Sequence, residues 1–390
     1  MPEVSPFATI PRTDDAVRAD IVDTVRRFVA REVIPVVGDL ERSDTFPAEI
    51  VQQMRELGLF GIPIPESMGG LGLDLLTYIA VIEELAYGWM SLTGIVNTHT
   101  MCATLIMQSG TEEQKQRWLP SMATGARRGA LSLSEPDAGS DTKKIACKAR
   151  KDGDSFLVTG TKAWVTNGER ASLVALVVRT DEGISTFIVE KDPGPAFGGI
   201  SISKTVGKLG YKGVETVEMA YDEHRVPAEN LVGTPGRGLA QVLSVLEVGR
   251  INIAARAVGV ARAAFDAAIA YAQVRETMDK PIAEHQAIQL KLADMATKLR
   301  AARLLTVDAA ERKMAGERCD VEAGMAKLFA SETAMELAMD AMRIHGGVGY
   351  TNEFPVERYF RDAPLMIIGE GTNEIQRLVI ARGLLARAQR

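Results

Sequence analysis

The sequence has few of the residues that mark metal centres, disulfide frameworks and nucleic-acid grooves. Its three cysteines, Cys102, Cys147 and Cys319, are far apart and form no CxxC pair, which favours buried or inert thiols in a reducing cytosol. Its four histidines show no HxH or HxxxH spacing, so no histidine metal site is predicted. Aromatic residues make up only 5% of the chain and no block of like charge occurs, which argues against a nucleic-acid surface or a polybasic membrane patch.

Long apolar runs are missing as well. No stretch of about 18 apolar residues is present, so no membrane span is predicted. The first residues, "MPEVSPFATIPRTDDAVRAD", have neither the apolar core of a signal peptide nor the acid-poor, arginine-rich character of an organelle presequence, which predicts a cytoplasmic location. With 390 residues, 46% of them hydrophobic, and a net charge of −6, the chain can bury a large core in two or three domains, and its charge does not favour acidic partners.

Three segments of different periodicity follow one another along the chain. Helical stripes such as Leu75, Ile79 and Ile82 continue to about residue 124. Short β-branched runs such as "SLVALVVR" and "ISTFIVE", with a hairpin signal at "KDGD", then extend to about residue 227. Alanine-rich helical stretches fill the rest and are long enough for a four-helix bundle.

These segments predict an α+β multidomain protein. The predicted units are an N-terminal all-α domain (1–126), a middle β-barrel or sandwich domain (127–235) and a C-terminal four-helix bundle (236–390). Because ligands commonly bind between domains, the two interfaces beside the β unit are the first places to look for a site.

One carboxylate stands out in "IIGEGTNEIQR", where Glu370 lies between Gly369 and Gly371 directly after an apolar run. A glutamate on a helix surface needs no flanking glycines, whereas one that meets a ligand closely gains from neighbours that lack a Cβ. A ligand-facing carboxylate and a turn with a solvated acid both stay open at this point. Thr372 or Asn373 is expected to cap the next helix.

Two segments of the middle unit also have two interpretations. "LSLSEPDAGSD" (131–141) could bring backbone amides and hydroxyls to a polar ligand, or it could be an ordinary turn rich in Ser and Asp. "KAWVTNG" places Trp164 and Thr166 on the same face of a strand. The indole and the hydroxyl could flank a flat ring, or the tryptophan could pack in the core.

The C-terminal helices contain further candidates. Glu247 and Arg250 are three residues apart and are predicted to pair on one helix face, which is usually a surface ion pair. "RIHGGVGY" ends a helix at a double glycine, yet the same glycines would admit a phosphate beside Arg343. Arg275 and Gln286 flank a loop that contains proline and could have either role.

Nine motifs together identify a family. They are "SLSEPDAGSD", "GTKAWVTNG", "FIVE", "HRVPAENLVG", "GVARAAFDAAIAYAQVR", "HQAIQLKLADMA", "RIHGGVGY", "VERYFRDAP" and "GEGTNEIQR". In this order and spacing the chain resembles the acyl-CoA dehydrogenase flavoproteins over nearly its whole length, and the fold of that family has the same helical, β, helical layout. The resemblance implies FAD as cofactor, an acyl-CoA substrate, an electron-transfer flavoprotein as acceptor, and a homo-oligomer, expected to be a tetramer.

The resemblance also implies where FAD binds, between the β domain and the C-terminal bundle. Middle-domain residues that match the segments around the flavin ring and near phosphates are Leu131, Leu133, Ser134, Gly139, Ser140, Trp164 and Thr166. C-terminal residues that match the adenine and pyrophosphate segments, several of them supplied by a neighbouring subunit, are Arg275, Gln286, Arg343, Gly346, Gly347, Thr372 and Glu374. Ser134 replaces a more usual threonine but keeps the hydroxyl, and Arg343 replaces a common glutamine.

By the same resemblance, Glu370 is the general base. It would take the α-proton of the thioester while hydride leaves the β-carbon for the flavin, and its backbone amide would help to hold the thioester oxygen. Some relatives place the base immediately before the arginine matched by Arg250, a position that is Gly249 here. The residues expected at the substrate are Ser140, Glu247, Arg250, Gly369 and Gly371.

Gly369 bears on the shape of the substrate. Straight-chain relatives often have tyrosine before the base and branched-chain relatives have glycine, which predicts a short or medium acyl group that is branched or bulky near the thioester. Alternatively, Gly369 only frees the backbone, and Met101 or Leu105 fills the space. The other functions left open are a dehydrogenase of a carrier-bound acyl thioester, a flavin oxidase or monooxygenase of the same fold, and a flavin-binding or interaction protein without turnover.

Overall fold

The computed structural model describes residues 5–389, and its first unit is helical. The helices are α1 (Asp15–Phe28), α2 (Val37–Arg42), α3 (Ala48–Glu56), α4 (Leu75–Gly88), α5 (Met90–Ser109) and α6 (Glu112–Ala123). Local capping explains where several begin: the Asp14 side chain accepts two backbone N–H bonds at the start of α1, and Thr111 forms a capping box with Gln114 at the start of α6. The helical interpretation of this segment is confirmed.

The middle unit is a nine-stranded sheet. Its strands are β1 (Gly129–Ser132), β2 (Lys148–Asp152), β3 (Ser155–Thr166), β4 (Leu173–Thr180), β5 (Gly183–Glu190), β6 (Ala196–Phe197), β7 (Ile200–Thr205), β8 (Thr216–Pro227) and β9 (Leu231–Val232). They run in the order β6-β7-β8-β3-β2-β4-β5-β9, with β1 parallel to β4. The "KDGD" hairpin is confirmed, because Asp152 pairs with Ser155 across Gly153 at φ +64°.

Long helices form the last unit. They are α7 (Gly238–Val274), α8 (Gln286–Met314), α9 (Asp320–His345), α10 (Val356–Ile368) and α11 (Asn373–Ala388), with the short strands β10 (Glu276–Thr277) and β11 (Lys280–Pro281) between α7 and α8. Helix α7 packs against α8, α9 and α10. Its buried alanines allow close helix approach, and at Gly259 an added Cβ would lie 2.4 Å from the Glu83 carbonyl oxygen of α4. Among residues 5–389, no helix is both long and apolar enough to cross a membrane.

Helix α5 is the element at which the three units meet. It packs against α7 of the C-terminal unit and against β1 of the sheet. His99 of α5 accepts a hydrogen bond from the Gly129 backbone N–H at 3.1 Å. At the end of β3, the Asn167 side chain donates to the Thr98 hydroxyl (2.7 Å) and to the Gly94 carbonyl (3.2 Å). All three cysteines are buried, in agreement with the prediction of buried or inert thiols.

Candidate active site

Glu370 lies in a tight turn between two helices. Helix α10 ends at Ile368, and Glu370 and Gly371 both take left-handed backbone conformations, with φ of +54° and +89°. Thr372 then caps α11 by accepting a hydrogen bond from the Ile375 amide. Of the two candidate caps, Thr372 and Asn373, the structure uses Thr372. A glutamate with positive φ is disfavoured by its Cβ, and such conformations cluster at functional sites.

The Glu370 carboxylate points into the junction of α5 and α7. Its Oε1 accepts a hydrogen bond of 2.6 Å from the Asn97 side-chain amide of α5. Its Oε2 lies above Gly249 of α7, where an added Cβ would be only 2.0 Å away, and has no hydrogen-bond partner within the described part of the chain. The alternative of a solvated acid in a surface turn is therefore wrong.

Burial makes this carboxylate more basic. Desolvation raises the pKa of Glu370 above its ordinary value, although the Arg256 charge, the Asn97 hydrogen bond, and the charges of Lys327 and Arg250 act in the opposite direction. A carboxylate whose pKa moves toward neutrality is suited to accept a proton from carbon.

Three of these neighbours were not found from the sequence. Asn97 and Arg256 are 1% and 3% exposed, and Lys327 is fully buried. The Arg256 guanidinium donates to Asn252 (2.8 Å), whose amide donates to the Tyr78 hydroxyl (2.9 Å). The available signal was a polar residue inside an otherwise apolar or alanine-rich helix, as in "GIVNTHTMC", "INIAARAVGV" and "GMAKLFAS".

The predicted Glu247–Arg250 ion pair is not formed. Glu247 instead pairs with Lys313 of α8 at 2.6 Å, because α8 brings that ammonium next to it. Arg250 is 9% exposed, and its Nε has no partner among residues 5–389. Desolvation lowers the pKa of Arg250, while Glu247 and Glu370 raise it. Arg250 thus remains near the base, and Glu247 is occupied elsewhere.

The middle-domain candidates lie in β3, in β1 and in the loop that follows β1. Trp164 has φ +61°, at a point where the pairing of β3 with β8 shifts register, and its side chain is 63% exposed. The alternative that this indole packs in the core is therefore wrong. Thr166 is half-buried, with its hydroxyl 3.4 Å from that of Thr216. An exposed indole of this kind fits a flat aromatic cofactor.

The loop of residues 131–141 is fixed to the same strand. The Ala163 amide donates to the Ser134 carbonyl at 2.9 Å. Glu135 is buried and accepts hydrogen bonds from the Lys162 ammonium (2.8 Å) and from the amides of Ala146 and Cys147. Leu131, Leu133 and Ser134 are half-buried, and Gly139 and Ser140 are exposed. This loop therefore has a defined shape with an open polar rim.

The C-terminal candidates lie at or near the ends of helices. Arg275 directly follows α7, Gln286 begins α8, and both are exposed. Arg343 is exposed and pairs with Asp340 at 3.3 Å. Helix α9 ends at the double glycine as predicted, and an added Cβ at Gly346 or Gly347 would meet nothing within 4 Å. Glu374 is exposed in the first turn of α11. These open glycines and exposed polar groups leave room for the phosphates and adenine of a dinucleotide.

Comparison with known proteins places this geometry in one family. Three domain models match the chain: "Acyl-CoA dehydrogenase, N-terminal domain" over residues 16–126, "Acyl-CoA dehydrogenase, middle domain" over 130–224 and "Acyl-CoA dehydrogenase, C-terminal domain" over 236–385. The bovine mitochondrial short-chain specific acyl-CoA dehydrogenase is 42% identical over 383 residues, which is 96% of this chain and 91% of that protein.

Solved structures agree with this assignment. The butyryl-CoA dehydrogenase of Megasphaera elsdenii has a TM-score of 0.92 at 34% identity, covering 96% of this chain and 100% of that one. A chain from a study of the electron transferring flavoprotein of Acidaminococcus fermentans has the same TM-score at 38% identity, covering 96% and 99%. The family consists of FAD flavoproteins, and the exposed indole, fixed loop and open glycines described above fit that cofactor. The chain therefore belongs to the acyl-CoA dehydrogenase family and is an FAD-dependent oxidoreductase acting on CH–CH donors.

Proposed function

We propose that the chain dehydrogenates a short or medium acyl-CoA thioester to the trans-2-enoyl-CoA, with Glu370 as the base that removes the α-proton. The observation that carries this proposal is the Glu370 carboxylate itself, desolvated, of raised pKa, and with Oε2 facing the α5–α7 junction. FAD, when bound, supplies the acceptor for the hydride that leaves the β-carbon.

The protein's own groups have distinct parts in this reaction. Oε2 of Glu370 is the atom free to take the proton, because Oε1 is held by Asn97. The backbone amide of Glu370 would donate to the thioester oxygen as negative charge develops there. Arg250 is charged and buried near the base, and its positive charge would stabilise the ionised carboxylate of Glu370. An electron-transfer flavoprotein is proposed as the acceptor of the electrons. The similar chain from the study of the Acidaminococcus fermentans electron transferring flavoprotein supports this.

Replacing the base tests the assignment. The Glu370→Gln variant should keep FAD and fold normally, yet its reduction by acyl-CoA under anaerobic conditions should slow by at least ~10²–10⁴. The measurement is the bleaching of flavin absorbance after mixing with butyryl-, hexanoyl- and isovaleryl-CoA. Glu353→Gln, which changes an exposed acid before α10, is the matched control and should bleach at the normal rate. Normal bleaching of Glu370→Gln would move the base to another residue.

The alternatives for the base are weak on physical grounds. Glu247 pairs with Lys313 at 2.6 Å, so its carboxylate already has a partner away from the Glu370 turn. Gly249, the position used by some relatives, has no side chain. A side chain there would also exclude the present position of Glu370, because even a Cβ would lie 2.0 Å from Oε2.

We further propose that Gly369 leaves room for a branched or bulky acyl group. Its φ of −68° and ψ of 153° are accessible to any residue, so backbone freedom does not explain the glycine. By contrast, Gly371 needs to be glycine for its φ of +89°. Met101 lies near the Glu370 carboxylate, since its sulfur is 3.5 Å from the Asn97 amide nitrogen, but a Cβ added at Gly369 would meet only Leu365 within 4 Å, so Met101 does not fill that space. The name of the bovine relative supports a short acyl chain.

The substrate proposal has its own test. A Cβ at Gly369 would lie 3.1 Å from the Leu365 carbonyl oxygen, which must shift by a few tenths of an ångström to admit it. The flavin-loaded Gly369→Tyr variant should lower turnover of isovaleryl- or 2-methyl-branched CoA by ~10-fold or more relative to butyryl-CoA. A preference for straight chains in the native enzyme, unchanged in a flavin-loaded variant, would refute the branched substrate and leave the dehydrogenase assignment intact.

The same assays separate the remaining alternatives. Oxygen consumption without an added acceptor would indicate a flavin oxidase. Bleaching by an acyl group on a carrier protein, but not by the matching acyl-CoA, would indicate a carrier-bound substrate. The cytoplasmic location stays a prediction.

A further inference from the structure

Lys327 on α9 is a buried cation that faces the Glu370 turn. It is fully buried, and its ammonium nitrogen donates three hydrogen bonds. The acceptors are the backbone carbonyls of Ile367 (2.9 Å) and Gly371 (2.9 Å) and the side-chain oxygen of Asn373 (2.7 Å). An ammonium has three protons, so every one is used.

The three acceptors bracket the base. Ile367 is in the last turn of α10, Gly371 directly follows Glu370, and Asn373 is the first residue of α11. One nitrogen thus joins the helix before the turn, the turn, and the helix after it. Asn373 is itself fully buried and also bonds Ser331, one turn along α9 from Lys327, so the anchor point is rigid.

Glu370 needs such support because of its backbone conformation. A non-glycine residue at φ +54° persists only where its surroundings impose it. The Gln376 side-chain amide gives a second support, donating to the Gly371 carbonyl at 3.0 Å and to the Glu370 carbonyl at 3.4 Å. Lys327 is the charged member of this set.

The charge of Lys327 also acts on the carboxylate. Burial lowers the pKa of Lys327 to about 8, whereas Glu370, Glu374 and Glu332 raise it and Arg250 lowers it. Lys327 in turn lowers the pKa of Glu370. The ammonium therefore favours the ionised base as well as the shape of its turn.

We propose that Lys327 is a positioning residue for catalysis, which holds the turn that presents Glu370. This inference rests on the proposed function of Glu370 as base. Its role is distinct from that of Asn97. Asn97 donates to the Glu370 carboxylate itself, whereas the Lys327 ammonium donates to Ile367, Gly371 and Asn373, the residues that flank Glu370.

The test is Lys327→Met, which keeps most of the length of the unbranched side chain and removes the charge and all three donors. We expect kcat to fall by at least ~10-fold with a smaller change in KM, since small displacements of a catalytic group are costly. The α-deuterium isotope effect on flavin reduction should rise, because proton removal becomes more limiting. The acid limb of the kcat/KM profile should move to higher pH, because loss of a nearby positive charge raises the pKa of Glu370.

Lys191→Met is the matched control. Lys191 is also buried (4% exposed), and its ammonium also donates to three backbone carbonyls, those of Glu169, Ala171 and Asp192, in the middle domain. It should lower the melting temperature without moving the acid limb or the isotope effect. Lys327→Gln, whose amide can restore part of the hydrogen bonding without the charge, should recover part of kcat while keeping the shifted acid limb.

Each outcome decides the matter. Native kcat, isotope effect and acid limb in flavin-loaded Lys327→Met would overturn the proposal, as would the same shifts in Lys191→Met. If Lys327→Met retains no FAD, Lys327→Gln is measured instead, and failure of both to fold would make Lys327 a structural residue only. An active Glu370→Gln enzyme would refute the base itself, whereas an inactive Glu370→Gln enzyme beside a normal Lys327→Met enzyme would refute only the positioning role.

Discussion

At the scale of single residues, two opposing effects act on the pKa of Glu370. Burial raises it, and the Asn97 donor and the nearby cations lower it. Asn97 is the neighbour that touches the carboxylate, with its amide nitrogen 2.6 Å from Oε1. Because a donor stabilises the ionised form, removing it should make the base harder to ionise. A hydrogen bond to a charged group contributes about 1.5–3 kcal/mol, which corresponds to roughly 1–2 pH units.

Asn97→Leu therefore gives a prediction with a definite sign. The base must be ionised to act, so activity is lost as pH falls through its pKa, and the acid limb of kcat/KM should move to higher pH by about 1 unit or more. Steady-state rates measured across the pH range check this. Thr104→Val, which removes a buried hydroxyl elsewhere on α5, should leave the limb in place. A limb that stays fixed or moves to lower pH in Asn97→Leu would contradict the assignment of that hydrogen bond.

The Gly249→Ala variant should separate the effects of this position on stability and on activity. Alanine is favoured over glycine within a helix by about 1 kcal/mol, so α7 should not be weakened by its backbone. The new Cβ would nevertheless lie 2.0 Å from Oε2, and the carboxylate would have to move. We expect unchanged or higher thermal stability, retained FAD, and kcat reduced by at least ~10-fold. Gly38→Ala in α2, whose Cβ would make only ordinary contacts, is the control; a fully active Gly249→Ala enzyme would show that Glu370 works from another position.

At the scale of elements, two threonine caps have the same chemistry in different places. Thr111 caps α6 and Thr372 caps α11, each through its hydroxyl and a backbone amide of the first turn. Replacing either with alanine should lower the free energy of unfolding by about 1 kcal/mol. Only Thr372→Ala should also lower kcat, because Thr372 follows Glu370 by two residues. Denaturant unfolding and turnover of the two variants give the comparison, and equal kcat in both would show that the cap does not help to set the turn.

The sequence predicts those elements whose causes are local. Caps, the "KDGD" hairpin and the double-glycine end of α9 each depend on a few adjacent residues, and each is confirmed. It does not predict contacts between distant segments. Asn97 and Glu370 are 273 residues apart in sequence, and Glu247 pairs with Lys313 instead of its own neighbour because α8 packs there. The exposure of Trp164 likewise depends on a register shift between β3 and β8, which alternation of side chains does not reveal.

At the scale of the whole molecule, the first and last units share one core. Residues from α1 to α5 and from α7 to α10 belong to the same buried cluster. Ion pairs reinforce the contact, since Arg262 of α7 pairs with Glu84 (2.6 Å) and Glu83 (2.9 Å) of α4. The two helical units therefore form a continuous body around α5 and α7, which explains why Asn97 and Gly249 can both meet the Glu370 turn.

The C-terminal unit also carries most of the exposed large apolar side chains. Among the most exposed are Val274 (76%), Met278 (86%) and Tyr350 (85%), which lie in sequence beside Arg275 or the Gly346–Gly347 pair. Apolar surface of this kind is typical of contacts between subunits. It supports the proposal of a homo-oligomer, expected to be a tetramer, in which Arg275 serves FAD across a subunit interface.

Arg275→Ala tests the oligomer and the cofactor together. If this arginine binds the cofactor of a neighbouring subunit, its loss should weaken FAD retention and subunit association in parallel, because each stabilises the other. Light scattering after gel filtration gives the mass, and the ratio of flavin to protein absorbance gives occupancy, both with and without added FAD. Arg31→Ala, which removes an exposed arginine of the N-terminal unit, should change neither. Loss of FAD from Arg275→Ala with an unchanged mass would place Arg275 in a site within one subunit, and native values of both would remove it from the cofactor site altogether.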